Sequence, residues 1–317
     1  MPIDVLFQLR TKVSPAVTFD RRVVVVTGAG AGMGRSHARL LAARGAHVVV
    51  NDIRNAAAVV AEIEAESGVA VADASDISTE SGAAALIETA VAAYGRVDAV
   101  INNAGIAVNR AFTETTWDLF DRTLKVNAYG PFFVTKHAWP HLTESGTGRV
   151  VMVSSKAALM GGARDLVHYG ASKGAMLAMT RQLAFAGAAH GIAVNAVLPT
   201  ALTSMTGDHG DDIAAAVAKH ALAPHMAERL GVDLSDGARL AERSTSVVSA
   251  FVAWLCHPSC PSNGEFFNVV AGEVSRLTFA MGPGFRDPDL MVESVRDHFD
   301  AIASMGETSL LPAIANR

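Results

Sequence analysis

Short runs of β-branched and apolar residues alternate along this chain with longer, alanine-rich stretches of helical periodicity. Apolar runs without alternation are typical of strands buried on both faces, as in a parallel sheet covered by helices. The predicted strands are 23–27, 46–51, 69–72, 99–102, 150–153 and 193–198. The predicted helices are 36–44, 56–67, 83–94, 117–127 and 170–186. Repeated strand–helix units of this length predict an α/β fold, with a doubly wound parallel sheet in a single domain.

The regular alternation occupies residues 22–272, which we interpret as one domain. Residues 1–21 show weak periodicity and are predicted to form an N-terminal arm. Residues 201–243 interrupt the alternation of predicted strands and helices, and they contain glycines, a proline and several histidines. Such an excursion after a strand is typical of a helical insertion on the substrate side, acting as a lid, and a pair of surface helices is the alternative. Residues 273–317 form a C-terminal extension to which the pattern assigns no role.

Composition narrows the class of protein. Half of the 317 residues are hydrophobic and 18% are charged, which excludes a disordered chain. The net charge of −5 does not indicate the basic surface that nucleic-acid-binding proteins carry. Apolar runs fall far short of the roughly 20 residues of a membrane span, and no signal peptide is evident, so we expect a cytoplasmic protein without a membrane partner. Cys256 and Cys260 are interpreted as ordinary thiols near a helix end, and no metal is expected.

A glycine-rich turn follows the first predicted strand and precedes a helix. It reads Thr-Gly-Ala-Gly-Ala-Gly-Met-Gly over residues 27–34. Glycines at such a junction let the backbone approach a pyrophosphate, whose charge is met by the free N–H groups of the helix start. The turn therefore predicts a dinucleotide site on a Rossmann-type sheet.

The end of the second strand indicates which dinucleotide binds. Asp52 stands there, where an acidic side chain accepts hydrogen bonds from the adenine ribose and repels a 2′-phosphate. This favours NAD. Arg35 and Arg54 are basic residues near the same position and keep NADP as an alternative.

Candidate catalytic groups follow the fifth predicted strand. Tyr169 and Lys173 lie one helical turn apart and therefore share a helix face. A phenol with a pKa of about 10 is a poor acid/base near neutrality, so we expect the charge of Lys173 to lower the pKa of Tyr169. Strand 150–153 ends in Ser154 and Ser155, at the sheet edge where open α/β sheets hold ligands. A serine there can hydrogen-bond a substrate oxygen beside the tyrosine.

These motifs, in this order and together with Asn102-Asn103-Ala104-Gly105, resemble the short-chain dehydrogenase/reductase family over about residues 22–272. The resemblance implies hydride transfer to or from an alcohol or ketone carbon. It also implies that Asn127 holds a water that links Lys173 to a proton relay, which gives the catalytic set Asn127, Ser155, Tyr169 and Lys173. The cofactor-binding residues that it implies are Gly28, Ala31, Gly32, Met33, Gly34, Asp52, Ile53, Asp76, Ile77, Asn103, Ala104, Gly105, Tyr169, Lys173, Leu202 and Ser204.

Two positions depart from the family pattern. Thr200 stands where the family usually has a glycine after Pro199, which affects the expected contacts with the cofactor. The spacing from Ser155 to Tyr169 is one residue longer than usual, which leaves a choice between Ser154 and Ser155 as the substrate-oxygen donor. We prefer Ser155, the second of the pair.

A closer resemblance concerns the substrate. Gly-Arg-Ser-His-Ala at residue 34, Trp-Leu-Cys-His-Pro-Ser-Cys at residue 254 and the segment 199–206 look similar to the dehydrogenase part of peroxisomal multifunctional enzymes of β-oxidation. This implies a bulky apolar hydroxy or keto substrate, either a 3-hydroxyacyl-CoA or a hydroxysteroid, free or CoA-linked. Arg-Ser-His-Ala also recurs in relatives that act on terpenoid or other cyclic alcohols. The family also implies a homodimer or homotetramer.

Two other classes are compatible with a dinucleotide-binding sheet. A non-catalytic dinucleotide-sensing regulator would need the glycine turn but not the acid/base set, and the intact set argues against it. An epimerase or dehydratase of the extended relatives would need a longer region after residue 272, so it ranks lower.

Overall fold

The computed structural model describes residues 16–160, 165–202 and 222–311. Its strands are β1 (Val23–Thr27), β2 (His47–Asn51), β3 (Val69–Asp73), β4 (Ala99–Asn102), β5 (Arg149–Val153), β6 (Ala193–Thr200), β7 (Phe266–Val270), β8 (Glu273–Leu277), β9 (Ala280–Met281) and β10 (Ser309–Leu310). Its α-helices are α1 (Gly32–Ala42), α2 (Ala56–Ala65), α3 (Glu80–Tyr94), α4 (Trp117–Leu124), α5 (Gly130–Glu144), α6 (Val167–Gly187), α7 (Ala223–Leu230), α8 (Gly237–Cys256), α9 (Val292–Asp297) and α10 (Phe299–Ala303).

The main sheet has the strand order β3-β2-β1-β4-β5-β6-β7-β8. Neighbouring strands are parallel from β3 through β7, and β8 pairs antiparallel with β7. The Rossmann-type α/β fold is therefore confirmed. The order reverses between β1 and β4, so the carboxyl ends of these two strands flank the position at which doubly wound sheets hold their ligands.

The core lies on both faces of this sheet because successive side chains of a strand point in opposite directions. Val24 and Val26 of β1 pack in one apolar cluster with α1, α2 and α8. Val23 and Val25 pack in a second cluster with α3, α5 and α6. Every residue of β1 is buried, which explains the uninterrupted valine run.

A third, smaller apolar cluster surrounds Leu202, directly after β6. It contains residues of α7, the start of α8 and Ala271 in the turn between β7 and β8. Residues 203–221 of the predicted lid lie outside the described residues, and α8 runs through the predicted lid boundary at residue 243. The lid therefore stays a prediction.

The two predicted terminal segments contribute to the domain itself. Phe19, in the predicted arm, is buried in the cluster that contains α1. Residues 273–277, at the start of the predicted extension, form β8 at the edge of the main sheet. None of the helices within the described residues combines the length and the apolar character that a bilayer crossing requires.

Candidate active site

The glycine turn after β1 is too crowded for side chains. Gly28 has a φ of +61°, and a Cβ on it would stand 2.7 Å from the Cα of Ala104. A Cβ on Gly34 would overlap the carbonyl oxygen of Gly28 and stand 2.6 Å from Nδ2 of Asn103. Ala31, before α1, offers no side-chain cap, and the first turn of α1 holds no acidic residue. The free N–H groups of this turn, which includes Gly32 and Met33, can therefore meet an anion.

Thr27, the last residue of β1, organises this turn. Its Oγ1 accepts hydrogen bonds from the backbone N–H groups of Asn103 and Ala104, both at 3.1 Å. The Asn103 side chain in turn donates to the carbonyl oxygens of Thr27 (2.9 Å) and Gly28 (3.0 Å). The Asn103 amide thus joins the ends of β1 and β4. Thr27 was not among the predicted site residues, although a hydroxyl directly before the first glycine is a signal for such a role.

Asp52, at the carboxyl end of β2, is fixed against the glycine turn. Its Oδ2 accepts from the Gly30 N–H at 3.1 Å, and its Oδ1 accepts from the Arg54 N–H at 2.9 Å. Arg35, which kept the NADP alternative open, forms an ion pair with Glu62 at 2.7 Å. The carboxylate is therefore held at the edge of the predicted dinucleotide site.

The predicted adenine contacts follow β3 and β2. Asp76 is exposed, and its carboxylate accepts a hydrogen bond from the Ser78 N–H at 2.9 Å. Ile77 is buried against Gly130. Ile53 is exposed beside Asp52. The structure thus leaves Asp76 and Ile53 accessible, whereas the side chain of Ile77 packs inward.

The Tyr169 phenol lies on α6 and is hydrogen-bonded to the Ser155 side chain, which follows β5. Ser154 is buried, and its hydroxyl donates to the carbonyl oxygen of Lys173 at 2.8 Å. The structure therefore brings Ser155, and not Ser154, to the tyrosine. Burial raises the pKa of the Tyr169 phenol above its ordinary value, and the hydrogen bond with Ser155 offsets only part of this rise. The pKa of Tyr169 is therefore raised in the protein without its cofactor, and the lowering expected from Lys173 together with an oxidised nicotinamide stays a prediction.

Lys173 is buried one turn further along α6. Its Nζ donates to the carbonyl oxygen of Val153 at 2.8 Å and lies 5.8 Å from the centre of the Tyr169 ring. Burial lowers the pKa of Lys173 to about 8, because desolvation disfavours the charged amine. The amine is therefore mostly protonated near neutrality and supplies a buried positive charge beside the phenol.

Asn127 is buried in a π-helical turn, Lys125–Tyr129, between α4 and α5. Its Oδ1 accepts from the Ile106 N–H at 2.8 Å, and its Nδ2 donates to the Ile106 carbonyl at 2.9 Å and to Ser172 Oγ at 3.0 Å. Ser172 donates to the Tyr169 carbonyl at 2.7 Å. Single π-helical turns occur often at functional sites. Ser172, which the sequence reasoning missed, thus connects Asn127 to the helix that carries Tyr169.

Gly105 keeps a space open between Asn127 and Lys173. Both Asn127 Oδ1 and Lys173 Nζ lie 3.3 Å from the point where a Cβ on Gly105 would stand. A side chain there would fill this polar space, whereas glycine leaves room for a water with two polar partners.

The segment after β6 carries the last predicted cofactor contacts. Leu202 is buried, and its N–H donates to Ser244 Oγ of α8 at 3.0 Å. Thr200, which replaces the usual glycine, is half-buried at the end of β6. Ser204 lies outside the described residues.

Residues 22–214 match the family model described as short chain dehydrogenase. The chain belongs to this family. A short-chain type dehydrogenase/reductase of Mycobacterium tuberculosis is 37% identical to this short-chain dehydrogenase, over 81% of the chain and 84% of its own length.

Peroxisomal multifunctional enzyme type 2 of Drosophila melanogaster is 33% identical over 94% of the chain and 48% of its own length. Its solved structure superposes with a TM-score of 0.74 at 29% identity, again covering 48% of that chain. This short-chain dehydrogenase therefore spans about half the length of that relative. The cis-4-hydroxycyclohexanecarboxylate dehydrogenase of Sinomonas cyclohexanicum is 39% identical over 57% of the chain and 73% of its own length.

The residues of this short-chain dehydrogenase fit a nicotinamide dinucleotide. A glycine cradle that a Cβ would fill stands at an uncapped helix start, and Asp52 is held at its edge. At the other end, the Tyr169 phenol with Ser155 and Lys173 can exchange a proton with an oxygen atom. This arrangement suits an oxidoreductase of hydroxy and keto compounds.

Proposed function

We propose that this short-chain dehydrogenase is an NAD-dependent oxidoreductase that interconverts a secondary alcohol and a ketone. The observation that carries the proposal is the Tyr169 phenol, hydrogen-bonded to Ser155 and one turn from the buried Lys173 amine. This set joins a proton acceptor, an oxygen-directed hydrogen bond and a positive charge within one desolvated site.

In the oxidative direction, Tyr169 as phenolate takes the hydroxyl proton of the substrate while Ser155 hydrogen-bonds the same oxygen. Lys173 favours the phenolate by its charge, which it retains below its pKa of about 8. Asn127, Gly105 and Lys173 surround the space in which a water would pass the proton onward. An oxidised nicotinamide ring, when bound, would supply the hydride acceptor, and its positive charge before the transfer would counteract the effect of burial on the pKa of Tyr169.

Tyr169→Phe tests the acid/base assignment. This variant should lose turnover while its NADH affinity stays within about threefold of the wild type, since a proton-transfer group contributes mainly in the transition state. Tyr94→Phe is the matched control, because Tyr94 ends α3 and its ring contacts His47 at the start of β2, at the end of the sheet away from the site. Substantial residual turnover of Tyr169→Phe would refute the assignment.

The preference for NAD rests on Asp52. Its carboxylate is oriented by the Gly30 and Arg54 N–H groups, and Arg35 is engaged by Glu62. Asp52→Ala should weaken NAD far more than NADP, because it removes both the ribose acceptors and the repulsion of a 2′-phosphate. Calorimetric Kd values for NAD and NADP measure this effect. If the affinity for both falls equally, Asp52 does not contact the adenine ribose.

For the substrate, we propose a 3-hydroxyacyl-CoA or a hydroxysteroid, free or CoA-linked. The similarity to peroxisomal multifunctional enzyme type 2 over nearly the whole chain supports this class. A cyclic alcohol is the second candidate, supported by the relative named for cis-4-hydroxycyclohexanecarboxylate. NAD⁺ reduction across 3-hydroxyacyl-CoAs of several chain lengths, hydroxysteroids and cyclic terpenoid alcohols distinguishes them. Tight NAD binding without turnover on any of these would favour a dinucleotide-sensing regulator instead.

Assembly and location complete the proposal. We expect a homodimer or homotetramer, which light scattering coupled to gel filtration measures directly. A cytoplasmic location stays a prediction, and the name of the Drosophila relative makes a peroxisome the alternative to test by cell fractionation.

A further inference from the structure

A cluster of polar side chains lies between α1 and α8, where the surrounding packing is apolar. His37 is 1% exposed, and its Nδ1 lies 2.7 Å from Oγ of Ser249. The same Oγ lies 2.8 Å from Oγ of Ser36 and 3.0 Å from the carbonyl oxygen of Thr245. Side chains of both helices, including Val252, pack in the apolar cluster around them. A polar bridge in such a place specifies one relative position of the two helices, since a shift would leave buried polar groups unpaired.

The protonation state of this bridge is fixed. Burial lowers the pKa of His37 to about 3, so its imidazole is neutral throughout the physiological range. A serine hydroxyl has one proton to donate and two lone pairs. Ser249 Oγ is placed to donate its one proton to Ser36 Oγ or to the Thr245 carbonyl oxygen, and its lone pairs can accept from the Nδ1–H of His37. The bridge is thus a permanent contact and not a titrating switch.

A second polar contact lies further towards the start of α8. Ser244 is fully buried, and its Oγ accepts from the Leu202 N–H at 3.0 Å and donates to the Ala241 carbonyl at 2.9 Å. One helix is therefore hydrogen-bonded to two separate parts of the cofactor site. Ser249 reaches α1, which begins in the glycine turn, and Ser244 reaches the segment after β6.

We propose that His37, Ser244 and Ser249 are positioning residues, through which α8 fixes the distance between the glycine turn and the segment after β6. The inference rests on the proposed function and on the expected cofactor contacts, by which the pyrophosphate would lie at the glycine turn and the nicotinamide at Leu202. Because a ligand that spans two anchor points binds tightly only when both are in place, each contact affects a different end of the cofactor. Ser249 acts at the pyrophosphate end, and Ser244 acts at the nicotinamide end.

Calorimetric Kd values for NAD⁺ and for ADP-ribose, which lacks the nicotinamide ring, separate the two ends. Ser249→Ala should weaken both ligands by about tenfold, the effect of about 1.4 kcal/mol. Ser244→Ala should weaken NAD⁺ by about tenfold and leave ADP-ribose within about twofold of the wild type. Val252→Ala is the control, because Val252 is a buried residue of the same apolar cluster and its truncation removes none of the hydrogen bonds of the bridge. Its Kd values should stay within about twofold while its urea midpoint falls at least as far as that of Ser249→Ala.

Two results would overturn the inference while leaving the proposed function intact. In one, Val252→Ala weakens NAD⁺ binding as much as Ser249→Ala does at an equal loss of stability. The hydrogen bonds of the bridge would then contribute no more to NAD⁺ binding than apolar packing does. In the other, Ser244→Ala weakens the binding of ADP-ribose as much as the binding of NAD⁺. Ser244 would then not act at the nicotinamide end of the cofactor alone. If the wild-type protein binds neither NAD⁺ nor ADP-ribose, the proposed function itself fails and takes this inference with it.

Discussion

Substituting Gly34 by alanine isolates the role of close approach in the glycine turn. Gly34 lies in the first turn of α1 and is not among the glycines with positive φ, so alanine can adopt its backbone conformation. The difficulty is space alone. The new Cβ would stand 2.6 Å from Asn103 Nδ2 and 2.8 Å from the carbonyl carbon of Gly28, where unstrained contacts need about 3.5 Å. Relief of these contacts therefore requires a shift of about 1 Å in the turn and in the Asn103 side chain that is hydrogen-bonded to it.

This shift should affect both binding and stability. Moving the N–H groups of the turn by about 1 Å should break hydrogen bonds to the pyrophosphate that are worth about 1.5–3 kcal/mol, so NADH affinity should fall by roughly 10- to 100-fold. Overpacking costs about 1–3 kcal/mol, and each kcal/mol moves Tm by roughly 2–4 °C in a domain of this size class. We expect Tm to fall by between about 2 and 12 °C.

Gly174→Ala is the matched control on the catalytic helix. Among the described residues, no atom lies within 4 Å of the point where its Cβ would stand. Alanine in a helix interior stabilises by about 0.5–1 kcal/mol relative to glycine, so Tm should rise by roughly 1–4 °C. NADH titration by fluorescence and thermal unfolding measure both variants. If Gly34→Ala bound NADH within about threefold of the wild type, the crowding of the turn would have no bearing on cofactor affinity.

Two further predictions concern buried charges. Lys173→Met should abolish turnover yet raise the free energy of unfolding near pH 7 by about 1 kcal/mol, since the penalty for burying the charged amine exceeds the loss of the bond to Val153. The pKa of Lys173 is lowered from 10.5 to about 8, so the unfolded chain binds the extra proton between these values and wild-type stability rises with pH there. Urea titrations should therefore show that the free energy of unfolding of Lys173→Met exceeds that of the wild type by less near pH 10 than near pH 7. An equal difference at both pH values would contradict the lowered pKa of Lys173. Asp98→Asn should lower the free energy of unfolding by about 3 kcal/mol with kcat/KM unchanged, because it leaves Arg22 and Arg96 without their buried carboxylate partner. A loss below about 0.5 kcal/mol in urea would show that this ion pair is dispensable.

The first six strands and the glycine turn were predictable because their signals are local. Valine runs marked β1 and β2 to within a residue, since the middle positions of strands buried on both faces are apolar. The strand β8 was missed for the converse reason. Its residues Glu-Val-Ser-Arg-Leu are largely exposed and pair along one edge only, so composition does not distinguish them from a loop.

The candidate site was predictable in its residue types but not in its energetics. Spacing placed Tyr169 and Lys173 on one helix face, and the structure agrees. A period-based prediction cannot detect the π-helical turn at Asn127, because one extra residue per turn barely changes the pattern. The raised pKa of Tyr169 depends on how completely the surroundings exclude water, which is a property of the assembled fold. Likewise, Ser244 and Ser249 appeared only as hydroxyls in a helix until their partners on distant elements were known.

The antiparallel strand β8 also has a consequence for the chain during its synthesis. The segment that it covers, β7, reads Phe-Phe-Asn-Val-Val and lacks charge, proline and glycine, which is the composition of a strand prone to intermolecular pairing. In contrast, β8 presents Glu273 and Arg276, which form ion pairs with Arg229 and Glu265, and charged edges resist the addition of a further strand. During synthesis β7 emerges before β8. A chain that has emerged only as far as residue 272 therefore exposes the edge of β7 with unpaired backbone groups. Once residues 273–277 have emerged as well, β8 can pair with this edge and cover it.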